Sequence, residues 1–255
     1  MSLELLSPVE EIAIAHTALQ SDLTLGRKIK IHTKKDGLPD LKNVQIAIIG
    51  ISESRGAVDN VGTGKGLEVI RKYFYQMFPG NWHLSLADLG NIPEGNETGD
   101  TYFLIQEILG ELLEQNITPV IIGGSQDITY ASYRAYDRLQ KPVNIVSVDN
   151  RFDIGEMDPK LNAQNYLHYI VMDKPNNMFN YSNIGFQTFF NSQEEIDLMD
   201  KLFFEAYRLG EVTNDLTIVE PIMRDADIVS IDMGAVRMSD APANNNAVPN
   251  GFYGD

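Results

Sequence analysis

Short apolar runs alternate with amphipathic stretches along most of this chain. Residues 44–51 read Val-Gln-Ile-Ala-Ile-Ile-Gly-Ile, an isoleucine-rich run of the length of a strand buried on both faces. Leu67, Ile70, Phe74, Met77 and Phe78 then recur at helical spacing and predict a helix over 66–78, stopped by Pro79-Gly80. The rhythm continues with a strand over 82–89, a helix over 102–113, a strand over 119–124, a helix over 128–139 and a strand over 143–148. Farther on, 166–171 and 183–185 are expected as short strands and 194–209 as one helix. Residues 216–224 read as a helix that tolerates Pro221 in its first turn, and 228–232 as a last clear strand. Alternating strand and helix predicts an α/β protein, a three-layer α/β/α sandwich with a mainly parallel sheet. No internal repeat or low-complexity linker interrupts it.

The first 43 residues depart from this rhythm and are expected as an N-terminal arm, with the main α/β domain over 44–255. Residues 8–19 carry apolar positions at helical spacing, with Glu10 and Glu11 near the start, where they suit the helix dipole. A basic stretch over 26–35 and turn signals at Asp36-Gly37 and Pro39-Asp40 follow. Such an arm packs on the main domain or on a neighbouring subunit.

Composition narrows the function. Lys and Arg number 20 against 36 Asp and Glu, a net charge of −16, which repels phosphate backbones and anionic lipid. Neither nucleic acid nor a membrane surface is expected as a partner. Cysteine is absent, which removes disulfides, zinc–thiolate sites, iron–sulfur clusters and cysteine nucleophiles. The N-terminus has no basic stretch before an apolar one, and no apolar run reaches the ~18 residues of a membrane span. A cytoplasmic location is the expectation.

In an open parallel sheet, ligands bind beyond the carboxyl ends of the strands. Three strand ends deliver acids or amides there: Gly123-Gly124-Ser125-Gln126-Asp127, Asp149-Asn150-Arg151-Phe152-Asp153 and Asp232-Met233-Gly234. Two other signals are discounted. Gly62-Thr63-Gly64-Lys65-Gly66 fits neither the P-loop nor the dinucleotide fingerprint, and Ser125 lacks the glycine a nucleophile elbow needs two residues on. His168 is the one histidine after that serine and is read as a packed strand residue.

The three strand ends resemble the ureohydrolases: arginase, agmatinase and formimidoylglutamase. That family ends the corresponding strands in Gly-Gly-Asp-His, Asp-x-His-x-Asp and Asp-x-Asp. The resemblance covers residue 44 to the end, and Ser182-Asn-Ile-Gly-Phe-Gln187 looks closest to the formimidoylglutamase branch. It implies an arginase-like fold, a homo-oligomer, a small-molecule ligand and two manganese ions with a bridging hydroxide that attacks a guanidinium or formimino carbon.

Half of the implied ligands are replaced. Gln126 and Arg151 stand where the family has histidines, and Gly234 stands where it has an acid. Gln126, Asp149, Asp153 and Asp232 remain as oxygen-bearing groups for one site at most, holding a divalent ion weakly or none. The second site is lost, and Arg151 is expected to fork onto Asp149 or Asp232 as a cation in place of that metal. A buried ion cluster of these residues is the alternative to single-metal binding. The expected function is an impaired or non-hydrolytic relative; the alternative is a metal-dependent hydrolase of a linear amidine or guanidino C–N bond. The family continues past the third motif with a further strand and helix, whereas this chain stops 23 residues after Asp232, so it reads as truncated at its C-terminal end.

Overall fold

The computed structural model describes residues 2–155 and 160–254. The chain forms two compact units, one from residues 1–55 and 62–125 and one from 56–61 and 126–255.

The first unit begins with the short helices α1 (Glu11–Ala15) and α2 (Leu25–Lys28) and the strand β1 (Lys30–Ile31). It continues through β2 (Ile46–Ile51), α3 (Leu67–Gln76), β3 (Leu86–Ile92), α4 (Thr98–Glu114) and β4 (Thr118–Ile122). The strands form one parallel sheet in the order β1-β3-β2-β4. α4 starts where the Asp100 carboxylate accepts from the Glu97 backbone N–H, and it buries Ile105, Ile108, Leu109 and Leu112. The first 43 residues join this sheet. β1 pairs with β3, and Ser7 exchanges two backbone hydrogen bonds with Asn91.

A buried ion network lies under α3. Arg71 is 1% exposed and donates from Nε and Nη2 to the Asp88 carboxylate, from Nη1 to Glu68 and Asn91, and from Nη2 to the Gly90 carbonyl. Tyr75 donates its hydroxyl to the same carboxylate at 2.9 Å. Five donated bonds satisfy a guanidinium that water cannot reach.

The second unit holds α5 (Ile128–Arg134), β5 (Val143–Val148), α6 (Tyr166–Met172), β6 (Met178–Phe186), α7 (Gln193–Lys201), β7 (Glu205–Arg208), α8 (Leu209–Asn214), α9 (Val219–Arg224) and β8 (Ile228–Ile231). Its parallel sheet runs β7-β6-β5-β8. Alternation along β5 sends Val143 and Ile145 into a core with Tyr133, Tyr166 and Tyr181, and Val146 to the other face with Ile184 and Val212. Both faces of the central strand β5 are therefore covered, which is why it reads as a near-continuous apolar run.

Two expectations are corrected. Residues 166–171 are not a strand but α6: Tyr166, Leu167 and Ile170 are the buried positions, a helical spacing that a six-residue apolar run does not declare. The single helix expected over 194–209 stops at Lys201. Phe203 turns the chain at φ +58° into edge strand β7, and α8 begins at Leu209. His168 accordingly lies on a helix.

Candidate functional site

The acids of the second and third motifs are placed by strand register. β5 and β8 are parallel neighbours with Val148 opposite Ile231, so Asp149 and Asp232 follow side by side at adjacent strand ends. The Asp232 N–H donates to the Val148 carbonyl at 3.0 Å, and the Asp149 N–H to the Ile184 carbonyl of β6 at 3.1 Å. Asp153 comes from the loop after β5, with φ at +50°. Asp149 and Asp153 are buried at 3% and 8% exposure, and their carboxyls hydrogen-bond to each other.

Two carboxyls can share such a bond when one carries a proton. Burial, and next the negative charges of Asp153 and Asp232, push Asp149 well above the usual carboxylate range. Burial also pushes Asp153 up to about 7, against the hydrogen bond from Asp149 and the positive charge of Arg151, which hold it down. Both carboxyls are thus pushed towards the protonated form, and they titrate as a pair. Asp232 is the most open of the three; burial raises its carboxyl, and the Gly234 N–H that it accepts holds it partly down.

The remaining motif positions are turned to other partners. Gln126 donates its amide to Ser230 Oγ of β8 at 2.7 Å, and Thr129 of α5 meets the same hydroxyl at 2.7 Å. Asp127 is fully buried ahead of α5, with its carboxyl packed against the Gly56 backbone. Arg151 donates its backbone N–H to Asp149 at 3.0 Å, but its side chain leaves the cluster. The guanidinium donates to the Phe190 carbonyl at 3.3 Å and lies over the Phe190 ring, 5.2 Å from its centre. The expected pairing of that guanidinium with Asp149 or Asp232 is thus corrected: among the described residues neither ion pair forms. Drawing a guanidinium into the buried cluster would strip its water, whereas a shared proton neutralises the acids at no such cost. Gly234 lies against the Asp232 carboxylate: a Cβ there would meet Asp232 Oδ1 at 2.7 Å, and its carbonyl accepts from Asn150 at 2.7 Å.

These residues do not fit a pair of divalent ions. Gln126 is engaged by Ser230, the Arg151 guanidinium is a cation that cannot ligate one, and Gly234 has no side chain to offer. Among the described residues, no group of three or more His, Asp or Glu side chains is gathered so as to hold an ion. Ser230, Tyr166 and Asn150 were not singled out from the sequence. The visible signal was a lone serine inside the apolar run Ile228-Val-Ser-Ile231. Tyr166, whose hydroxyl meets Ser147 Oγ at 3.2 Å beneath the cluster, had no such signal.

A parallel α/β chain whose acids gather at adjacent strand ends defines a class of strand-end ligand sites. Residues 44–254 match the sequence profile of the arginase family, and the chain belongs to that family. Its similarity runs to formimidoylglutamases. It is 22% identical to the formimidoylglutamase of Staphylococcus carnosus over 228 residues, 83% of this chain and 71% of that protein. It is 24% identical to that of Staphylococcus haemolyticus over 132 residues, 48% of this chain and 42% of that protein, so the chain spans less than half of this second relative. Among solved structures, Trypanosoma cruzi formiminoglutamase with Mn2+2 superposes at a TM-score of 0.77 with 18% identity, covering 90% of this chain and 81% of that one. Formimidoylglutamase from Bacillus subtilis superposes at 0.73 with 18% identity, covering 85% and 74%. The fold is arginase-like. Among the described residues no helix is long and apolar enough to cross a membrane.

Proposed function

We propose that this arginase-family chain keeps the family scaffold and its strand-end acids but has given up the two-metal hydrolytic centre. The observation that carries this reading is the donor set itself: Gln126, Arg151 and Gly234 fill three of the six motif positions, and their side chains offer no metal ligand to the cluster of Asp149, Asp153 and Asp232. Two metals lower the pKa of a shared water and polarise the electrophile. A guanidinium held over Phe190 does neither. What remains can donate and accept hydrogen bonds: the buried carboxyls of Asp149 and Asp153, both pushed towards the protonated form by burial, and the partly open carboxyl of Asp232. Such a set suits binding a small polar molecule rather than activating water.

The test is metal content and turnover of the same preparation. After purification in manganese and removal of loose metal, elemental analysis is expected to find fewer than two ions per chain, with no hydrolysis of a formimino or guanidino compound. Two tightly held ions with turnover would return the chain to the working ureohydrolases.

A further inference from the structure

We propose that the cavity at the ends of β6 and β7 binds a small organic carboxylate with a flat apolar body. The cavity has a volume of about 520 Å³, the size of a small-molecule site. It lies on the β6–β7 side of the second unit's sheet, whereas Asp149 and Asp232 follow β5 and β8 on the other side. Phe186, the last residue of β6, is the most buried part of its apolar lining at 8% exposure. Phe189 and Tyr253 line it with rings that are 71% and 61% exposed.

One wall is built by backbone pairing after β8. The Arg237 N–H donates to the Phe252 carbonyl at 3.1 Å, the Met238 N–H to the Val248 carbonyl at 2.7 Å and the Phe252 N–H to the Ala235 carbonyl at 2.8 Å. Gly251 permits this approach, since a Cβ there would meet the Arg237 nitrogen at 2.5 Å and the Ala235 carbonyl oxygen at 2.6 Å. Gln187, buried at the end of β6, ties the wall to the sheet by donating its amide to the Asn250 carbonyl at 3.0 Å. The cavity is thus held from both sides before any ligand arrives, which lowers the ordering cost of binding.

The charge of the lining selects an anion. It contains Arg208 and Arg237 and, among the described residues, no Asp or Glu, in a chain with 36 acids against 20 bases. Arg237 is fixed in place: its Nε donates to Asp240 at 2.8 Å, and its guanidinium lies over the Tyr253 ring, 3.8 Å from the centre. Arg208 closes β7 and is exposed. Its backbone N–H is taken by the Glu211 carboxylate at 3.2 Å, whereas no described residue accepts a hydrogen bond from its guanidinium. A guanidinium fork matches the two oxygens of a carboxylate, and the exposed faces of Phe189 and Tyr253 suit a flat body beside it.

Benzoate and its uncharged twin benzamide are the probes, titrated into the whole chain and followed by saturation-transfer NMR. Benzoate is expected to bind, and benzamide to bind roughly tenfold or more weakly for want of the charge-assisted pair. Arg208→Gln should weaken benzoate by a similar factor and leave the far-ultraviolet circular dichroism spectrum unchanged, because that guanidinium holds no other part of the fold. Thr213→Trp, which fills the cavity from the exposed side of α8, should block benzoate altogether. Neither readout depends on metal content or turnover, so the result stands apart from the fate of the strand-end acids. A parent chain that binds no benzoate at millimolar concentration overturns the proposal, as does one that binds inorganic phosphate but not benzoate. So does benzamide binding as tightly as benzoate, or a folded Arg208→Gln variant that binds benzoate as the parent does.

Discussion

The carboxyl of Asp149 hydrogen-bonds to that of Asp153, and both are buried beside the end of β5. In the family pattern these two acids flank a histidine; here they flank Arg151, whose guanidinium has turned out to Phe190. Burial and mutual repulsion push both carboxyls above the ordinary carboxylate range, and this relationship sets the electrostatics of the strand-end cluster.

That rise makes stability depend on pH. Asp153 is raised to about 7 in the folded chain from an ordinary value near 3.8. A raised carboxyl contributes stability that is fully present below the unfolded value and is lost as pH rises through the folded one. The melting temperature is therefore expected to fall between pH 4 and pH 7 and then to level off. Asp153→Asn, which cannot ionise, should flatten that slope and be the more stable form at pH 8, by at most on the order of 4 kcal/mol. Melting curves across this range check it; a variant less stable than the parent at pH 8 would refute the assignment.

Restoring the lost ligands should restore metal. Arg151→His alone is expected to bind no pair of ions, because Gln126 and Gly234 are unchanged. Gln126→His, Arg151→His and Gly234→Asp together should bind two manganese ions in a calorimetric titration. The new Cβ at 234 would press on Asp232 Oδ1, the free end of a side chain that can swing towards an ion. A folded triple variant that takes up no manganese would sink the replacement argument.

In the first unit, Asp88→Ala removes the acceptor for Arg71 Nε and Nη2 and for the Tyr75 hydroxyl. It leaves a buried guanidinium short of its main counter-charge, a loss of about 3–5 kcal/mol. Urea denaturation should show the midpoint move down by a corresponding amount.

α7 begins with a capping box. Ser192 Oγ accepts from the Glu195 N–H at 3.1 Å, and the Glu195 carboxylate accepts from the Ser192 N–H at 2.7 Å. Ser192→Ala should cost about 1 kcal/mol, read as a small drop in melting temperature, and Ser192→Asp should recover most of it.

What the sequence determined by itself is what depends on short-range periodicity. β2, α4 and β5 follow directly from runs such as Val-Asn-Ile-Val-Ser-Val and from helical spacing, because a covered parallel strand and an amphipathic helix each write their burial into neighbouring positions. α3, β4 and β8 also form where their apolar positions place them, although Ile70, Val120 and Ile231 face outward. The three strand-end motifs were legible for the same reason, since each directly follows such a strand. Tertiary structure decided the rest. Residues 166–171 became a helix because their buried positions are chosen by packing on Tyr133 and Tyr181, which are distant in sequence. The direction of Arg151 was decided by Phe190, 39 residues away, and by the cost of desolvating a guanidinium beside acids that a single proton can neutralise. Gln126 was drawn to Ser230, 104 residues away. Such outcomes depend on which side chains meet across strands and loops, and a linear pattern carries no record of that competition.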